Sequence, residues 1–178
     1  MRKALASLWL ALALCAALPA AAEEKEREYP TLAVGSVPYD ELGKDVDGNE
    51  IKISDHHGKV VIVSFWASWC GPCRKELPIV ANIAKKVGPD HLKVISINFK
   101  DETKSFKIIA DALKTLPITI LRDYNGKAAR KFDVRGVPRM IIIDRDGKVA
   151  ADHVGYGEGS VEEIVDELNR VLLAGQKT

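Results

Sequence analysis

The rhythm of apolar and polar residues changes several times along this chain, and each change marks an element. "KVVIVSF" (Lys59 to Phe65) is almost entirely apolar, the pattern of a strand covered on both faces. After Cys73, apolar residues return at Leu77, Val80, Ala81, Ala84 and Val87, which is one stripe of a helix. "LKVISIN" (Leu92 to Asn98) predicts another strand, and Phe106, Ile109, Ala110, Leu113 and Leu116 trace a second helix. A short strand follows at "ITIL" (Ile118 to Leu121), then a turn and short helix at "NGKAARKF" (Asn125 to Phe132). "MIII" (Met140 to Ile143), the turn "DRDG" and "KVAADHV" (Lys148 to Val154) predict an antiparallel hairpin. The last helix carries Val161, Ile164, Val165, Leu168, Val171 and Leu172 on one side, and Ser160 with Glu163 has the spacing of a capping box. Upstream, "DGNEIKI" (Asp47 to Ile53) reads as the second arm of a hairpin. Strands alternating with helices and closing on a hairpin imply an α/β sandwich with a mixed central sheet.

The first residues obey a different pattern. Arg2 and Lys3 precede an apolar stretch from Ala4 to Leu18, followed by Pro19, Ala20 to Ala22 and the charged run "EEKERE". That is the order of a secretory signal peptide over residues 1–22, ending in an A-x-A cleavage site. An uncleaved anchor is the alternative, because Ala4 to Ala22 is 19 residues, just long enough to span a bilayer. Lipid attachment at Cys15 is disfavoured by Leu14, which stands where that motif needs a small residue. Residues 23–38 read as an extended lead-in and 39–174 as one compact domain, in keeping with the 156 residues that cleavage would leave. Cleavage would also leave 24 basic against 25 acidic residues, with no polybasic tract, so nucleic acid is not an expected partner.

Export makes the cysteines informative. Cys70 and Cys73 are the only two left after cleavage, and only Gly71 and Pro72 separate them. An oxidising compartment lets a disulfide persist, but so small a loop gains little from chain entropy, so stabilisation is a poor reason for the pair. The strand ends near Trp66 and the helix begins around Gly71, which puts Cys70 at a helix N-terminus. Free N–H groups and the helix dipole favour an anion there, and for a cysteine that anion is the reactive thiolate. Pro72 suits the first helical turn, where its missing N–H is no loss. Half of a zinc site is the competing reading of C-x-x-C. It lacks further ligands at metal spacing, since His56, His57, His91 and His153 form only an adjacent pair and two singles. No metal or other cofactor is expected.

"FWASWCGPCRKELP" resembles the active site of thioredoxin-fold proteins, and specifically of exported TlpA/ResA-like thiol–disulfide oxidoreductases. The resemblance runs from Tyr39 to Leu173 and includes the lead-in "DGNEIKISDHHGKVVIVSFWASWCGPC". It implies a thioredoxin-like sandwich with an added N-terminal hairpin and an insertion, which would fall between Asp101 and Leu121. It also implies roles: Cys70 as nucleophile, Cys73 as resolving cysteine, and Trp69 covering the approach to the nucleophile. Pro78 matches the proline inside the active-site helix, and Val137-Pro138 of "GVP" matches the loop that faces the cysteines through a cis bond. Gly71-Pro72 is the thioredoxin dipeptide.

Two positions depart from thioredoxins. Ser64 stands where they bury an aspartate, and a hydroxyl cannot take the resolving thiol's proton. Glu76, three residues after Cys73, matches an active-site glutamate of the ResA-like branch, where a carboxylate near the thiols would raise their pKa values and accept a proton; a solvated helix glutamate is the alternative. Arg139 replaces the usual threonine, either to bias partner choice, to stabilise a thiolate, or as an ordinary surface residue. With no basic residue between the cysteines, a reductant is favoured over a strong oxidant. The expected protein is a periplasmic disulfide reductase, soluble after signal cleavage or else anchored to the inner membrane, and monomeric. It would draw electrons from a membrane thiol donor of the DsbD/CcdA type and act on protein substrates with disulfides, in cytochrome c biogenesis, copper-site assembly or general thiol reduction. A copper or zinc carrier and a thiol oxidase are the alternatives. A peroxiredoxin would carry a lone cysteine in a different motif.

Overall fold

The middle strand sets the plan of the molecule. Strand β3 (Val60–Trp66) is buried at all seven positions, because other layers cover both of its faces. A computed structural model describes residues 32–157 and 159–174; the segment read as a signal peptide and the first part of the lead-in lie outside them. In chain order the other elements are a hairpin, β1 (Glu41–Lys44) with β2 (Glu50–Lys52), then helix α1 (Gly71–Val87), β4 (Leu92–Phe99), α2 (Thr103–Leu113), β5 (Thr119–Asp123), α3 (Lys127–Lys131), β6 (Arg139–Ile143), β7 (Val149–Val154) and α4 (Ser160–Ala174).

The five-stranded sheet runs β5-β4-β3-β6-β7. Strands β3, β4 and β5 are parallel, while β6 and β7 run antiparallel, so the sheet is mixed. Alternation along β3 then sorts the core. Val61, Val63 and Phe65 face α3 and the hairpin, where the Phe65 and Phe132 rings lie 5.7 Å apart. Val60 and Ile62 face the opposite way, against Val80 and Ala84 of α1 and Ile164 and Leu168 of α4. This is a thioredoxin-like fold with an N-terminal hairpin.

The segment that runs from the lead-in into the turn of the hairpin touches the sheet at both margins. Gly35 N–H bonds to the Val149 carbonyl (2.7 Å) and Val149 N–H to the Ser36 carbonyl (2.9 Å), at the start of β7. Ten residues later the chain pairs Asp45 with Leu121 on β5, and Val46 N–H bonds to the Ile120 carbonyl (3.1 Å). The expected insertion holds α2, whose Ala110 and Leu113 pack beside the cysteines. One local expectation fails. Ser160 is the first residue of α4 and not its cap: its hydroxyl accepts from Gly157 N–H (2.7 Å), while Glu163 N–H goes to the Gly159 carbonyl (3.0 Å). With Gly159 supplying the carbonyl, the helix starts one residue earlier than a capping box requires.

Candidate active site

Beyond Trp66 the chain leaves the sheet and turns, with Cys70 N–H bonded to the Ala67 carbonyl (3.1 Å). Cys70 is the N-cap of α1, in an extended conformation, and its sulfur accepts the Cys73 N–H at 3.2 Å. A cysteine thus occupies the place usually held by a serine or aspartate, where a negative atom is favoured. Pro72 lies in the first turn, as expected. Cys70 and Cys73 are joined in a disulfide with their Cα atoms 5.3 Å apart, and both are buried. They share a cluster with Trp66, Leu77 and the α2 residues Ala110 and Leu113.

Glu76 resolves one open question. It points inward and is only 3% exposed, so it is not the solvated helix glutamate. Its Oε1 accepts a hydrogen bond from Ser64 Oγ at 3.3 Å, across from α1 to β3. The helical repeat explains the placement: Glu76 is three residues after Cys73, and both lie on the face of α1 that carries Leu77 and Val80. Burial pushes the Glu76 carboxyl up to about 7, against a smaller downward pull from the Ser64 hydroxyl. A carboxyl titrating there exchanges protons readily at neutral pH.

The remaining expected residues divide. The Val137–Pro138 bond is cis, and Val137 packs against the cluster that holds both cysteines. Trp69 is 66% exposed and contributes open apolar surface next to Cys70. Gly71 is half-buried in the first turn. Arg139 is buried, contrary to the surface reading. It makes a bidentate pair with Asp152 of β7, Nε to Oδ1 at 2.9 Å and Nη2 to Oδ2 at 2.7 Å, and so ties β6 to β7. Among the described residues no group of three or more His, Cys, Asp or Glu side chains is gathered as metal ligands.

Sequence reasoning missed Asp101. This buried carboxylate accepts Ser68 N–H at 2.6 Å and Asn98 Nδ2 at 2.8 Å, so it fixes the loop that delivers Cys70. Arg122 in turn donates to the Asp101 carbonyl (2.9 Å) and to Thr103 Oγ1 (3.0 Å), coupling that loop to α2. Its one trace in the sequence is Asn98, a polar residue near the end of β4, three residues before it.

The Redoxin family profile matches residues 27–171. The chain belongs to the redoxin family. Thiol-disulfide oxidoreductase ResA of Bacillus thuringiensis subsp. konkukian is 32% identical to it over 131 residues, 71% of this chain and 72% of that protein. Sporulation thiol-disulfide oxidoreductase A of Bacillus subtilis is 27% identical over 146 residues, 81% of this chain and 84% of that protein. Among solved structures, a Chlorobium tepidum protein assigned as the thiol:disulfide interchange protein DsbE superposes with a TM-score of 0.69. It is 32% identical, and the match covers 80% of this chain and 99% of that one. This redoxin is therefore a ResA-like enzyme, a thiol–disulfide oxidoreductase of thioredoxin-like fold.

Proposed function

We propose that the enzyme is an exported disulfide reductase, working in the periplasm through the Cys70–Cys73 couple on disulfides of other proteins. The observation that carries this reading is Glu76, a carboxyl buried one turn past Cys73 and raised to about 7, with no basic residue between the cysteines. Above its midpoint its negative charge opposes the thiolates, which makes the reduced pair a readier electron donor.

In the forward reaction the enzyme begins as a dithiol. The Cys70 thiolate, stabilised at the N-terminus of α1, attacks one sulfur of a substrate disulfide. That S–S bond breaks, a Cys70–substrate disulfide forms, and the other substrate sulfur leaves as a thiolate that takes a proton. Cys73 then passes its proton to the Glu76 carboxylate and attacks the Cys70 sulfur. The mixed disulfide breaks, the second substrate thiol is released, and the enzyme holds the Cys70–Cys73 disulfide found here. A membrane thiol donor of the DsbD/CcdA type restores the dithiol by the reverse exchange. Gly71 and Pro72 keep the loop free of charge, while Val137, Pro138 and the exposed Trp69 form the surface on which a substrate strand would lie.

Substrates fitting this chemistry are disulfides of apocytochrome c, of copper-insertion proteins, or of oxidised periplasmic thiols. The polypeptide is released by signal cleavage or stays anchored by its N-terminus; among the described residues no helix is long and apolar enough to cross a membrane. Two measurements test the proposal. The reduction potential is expected nearer thioredoxin's roughly −270 mV than DsbA's roughly −120 mV, and a value above about −150 mV would make the enzyme an oxidase. Cys73→Ser is expected to trap mixed disulfides with partners and Cys70→Ser is not; equal trapping by both would overturn the assignment of the nucleophile.

A further inference from the structure

Behind Glu76 lies a second hydroxyl without an evident task. Ser96 of β4 is fully buried, and its Oγ has no hydrogen-bond partner among the described residues. A buried hydroxyl left unpaired is costly and calls for a reason. Its position supplies one, for Ser96 is the register partner of Ser64 in the parallel β3–β4 pair. Ser64 projects to the α1 side, as its bond to Glu76 shows, and Ser96 lies on the same side, in step with Leu92 and Val94, which pack there. Neighbouring strands lie about 4.8 Å apart, so a rotation of either serine about χ1 brings the two hydroxyls within reach.

We propose that Ser96 is the alternate partner of Ser64, and that the two serines form a reversible hydroxyl relay serving both protonation states of Glu76. With Glu76 ionised, Ser64 donates to the carboxylate, the arrangement seen here, and Ser96 waits unpaired. With Glu76 protonated, the carboxyl O–H becomes the donor and Ser64 Oγ the acceptor. The Ser64 proton then has no carboxylate to meet and turns to Ser96 Oγ. A hydroxyl both donates and accepts, so the change needs two rotations and leaves no group stranded. An aspartate at position 64 would place a second carboxylate against Glu76 and could not reverse in this way.

Among the described residues no charged side chain bonds to Glu76. Burial and the Ser64 hydroxyl account for the displaced Glu76 titration. The cluster that holds the two cysteines also takes in Ala110, Leu113 and Ile120, none of which ionises, and the cysteines themselves are held in the disulfide. Other buried ionisable groups are engaged elsewhere: Asp101 with Ser68, Asp123 with Ala129 N–H, Arg139 with Asp152, and Lys131 over the Tyr39 ring.

Ser64 and Ser96 are positioning residues, and they act in opposite directions. Ser64 stabilises the carboxylate, whereas Ser96 stabilises only the protonated form. In the oxidised protein, carboxyl-labelled glutamate is titrated by 13C NMR, with Glu76→Gln identifying the signal. Ser64→Ala is expected to raise the Glu76 midpoint and Ser96→Ala to lower it, each by about half to one pH unit. Ser96→Thr, which keeps the hydroxyl, should return the midpoint to that of the native protein, and circular dichroism confirms that each variant is folded. A Ser96→Ala midpoint that stays in place, or rises with that of Ser64→Ala, overturns the relay. The inference rests on Glu76 serving the thiols, and the pH profile of disulfide reduction separates the two ideas. Midpoints that shift as expected while the rate profile stays fixed would confirm the relay and remove Glu76 from the proton transfer.

Discussion

Two buried charged groups near the active site are treated in opposite ways. Arg139, next to cis-Pro138, meets Asp152 through two parallel hydrogen bonds in a cross-strand pair. Glu76, next to Cys73, meets one neutral hydroxyl at 3.3 Å. The paired arginine is fixed in a single state and serves as a fastener between β6 and β7. The carboxyl without a cation is displaced to about 7 and remains free to change. A buried charge given a counter-ion becomes architecture, while one denied a counter-ion is kept available for chemistry.

The sharpest break of this contrast is thermodynamic. The folded protein holds the Glu76 proton more tightly than the unfolded chain, whose midpoint lies near 4.5. This group's contribution to stability is therefore greatest below pH 4.5, falls between pH 4.5 and about 7, and levels off above. The displacement corresponds to about 3 kcal/mol. Urea unfolding of the oxidised protein across that range is expected to show the decline, and Glu76→Gln is expected to remove it. An identical slope in both proteins would contradict the displaced titration.

Breaking the other arm should have no such pH signature. Asp152→Ala leaves Arg139 without its partner in a site that is 11% exposed at the arginine side chain, at a cost of about 2 kcal/mol. The same unfolding measurement checks it, and the alkylation profile of the reduced cysteines is expected to stay where it was. The smallest effect sharpens the role of Glu76 itself. At pH 8, Glu76→Gln is expected to lower the apparent thiol pKa values by about one unit and to make the couple more oxidising. At pH 6 the two proteins should converge, because the native carboxyl is then mostly neutral. The thiols and the carboxyl titrate as a coupled set, so the shift belongs to the group and not to Cys70 alone.

What the sequence revealed follows from range. Strand β3 and helix α1 were legible because their signals are local: an apolar run broken only by Ser64, then a stripe at helical spacing from Leu77 to Val87. The placement of Cys70 followed directly, since a strand end and a helix start lay only a few residues apart. Glu76 was half legible. Its spacing from Cys73 allowed the inner face, but only its burial beside Ser64 of β3 decides that it turns there. Asp101 and Asp152 were not legible. Asp101 meets Ser68 across 33 residues, and Asp152 meets Arg139 through the register of a hairpin whose bulge no local pattern announces. The cap of α4 was misread for a smaller reason, because a glycine turn supplied the first carbonyl where serine had been expected to act.

The lead-in has a consequence for the chain's behaviour in a crowd. A sheet of five strands has two margins, and each outermost strand offers unpaired amides and carbonyls to any extended peptide that drifts past. Here one stretch of about a dozen residues touches both. Gly35 and Ser36 exchange hydrogen bonds with Val149 at the start of β7, and on β5 Val46 N–H bonds to the Ile120 carbonyl beside the Asp45–Leu121 bridge. The segment acts as a selvedge: by bonding to Val149 at one side and to Ile120 at the other, it withdraws those positions of the two outer strands from pairing with another chain.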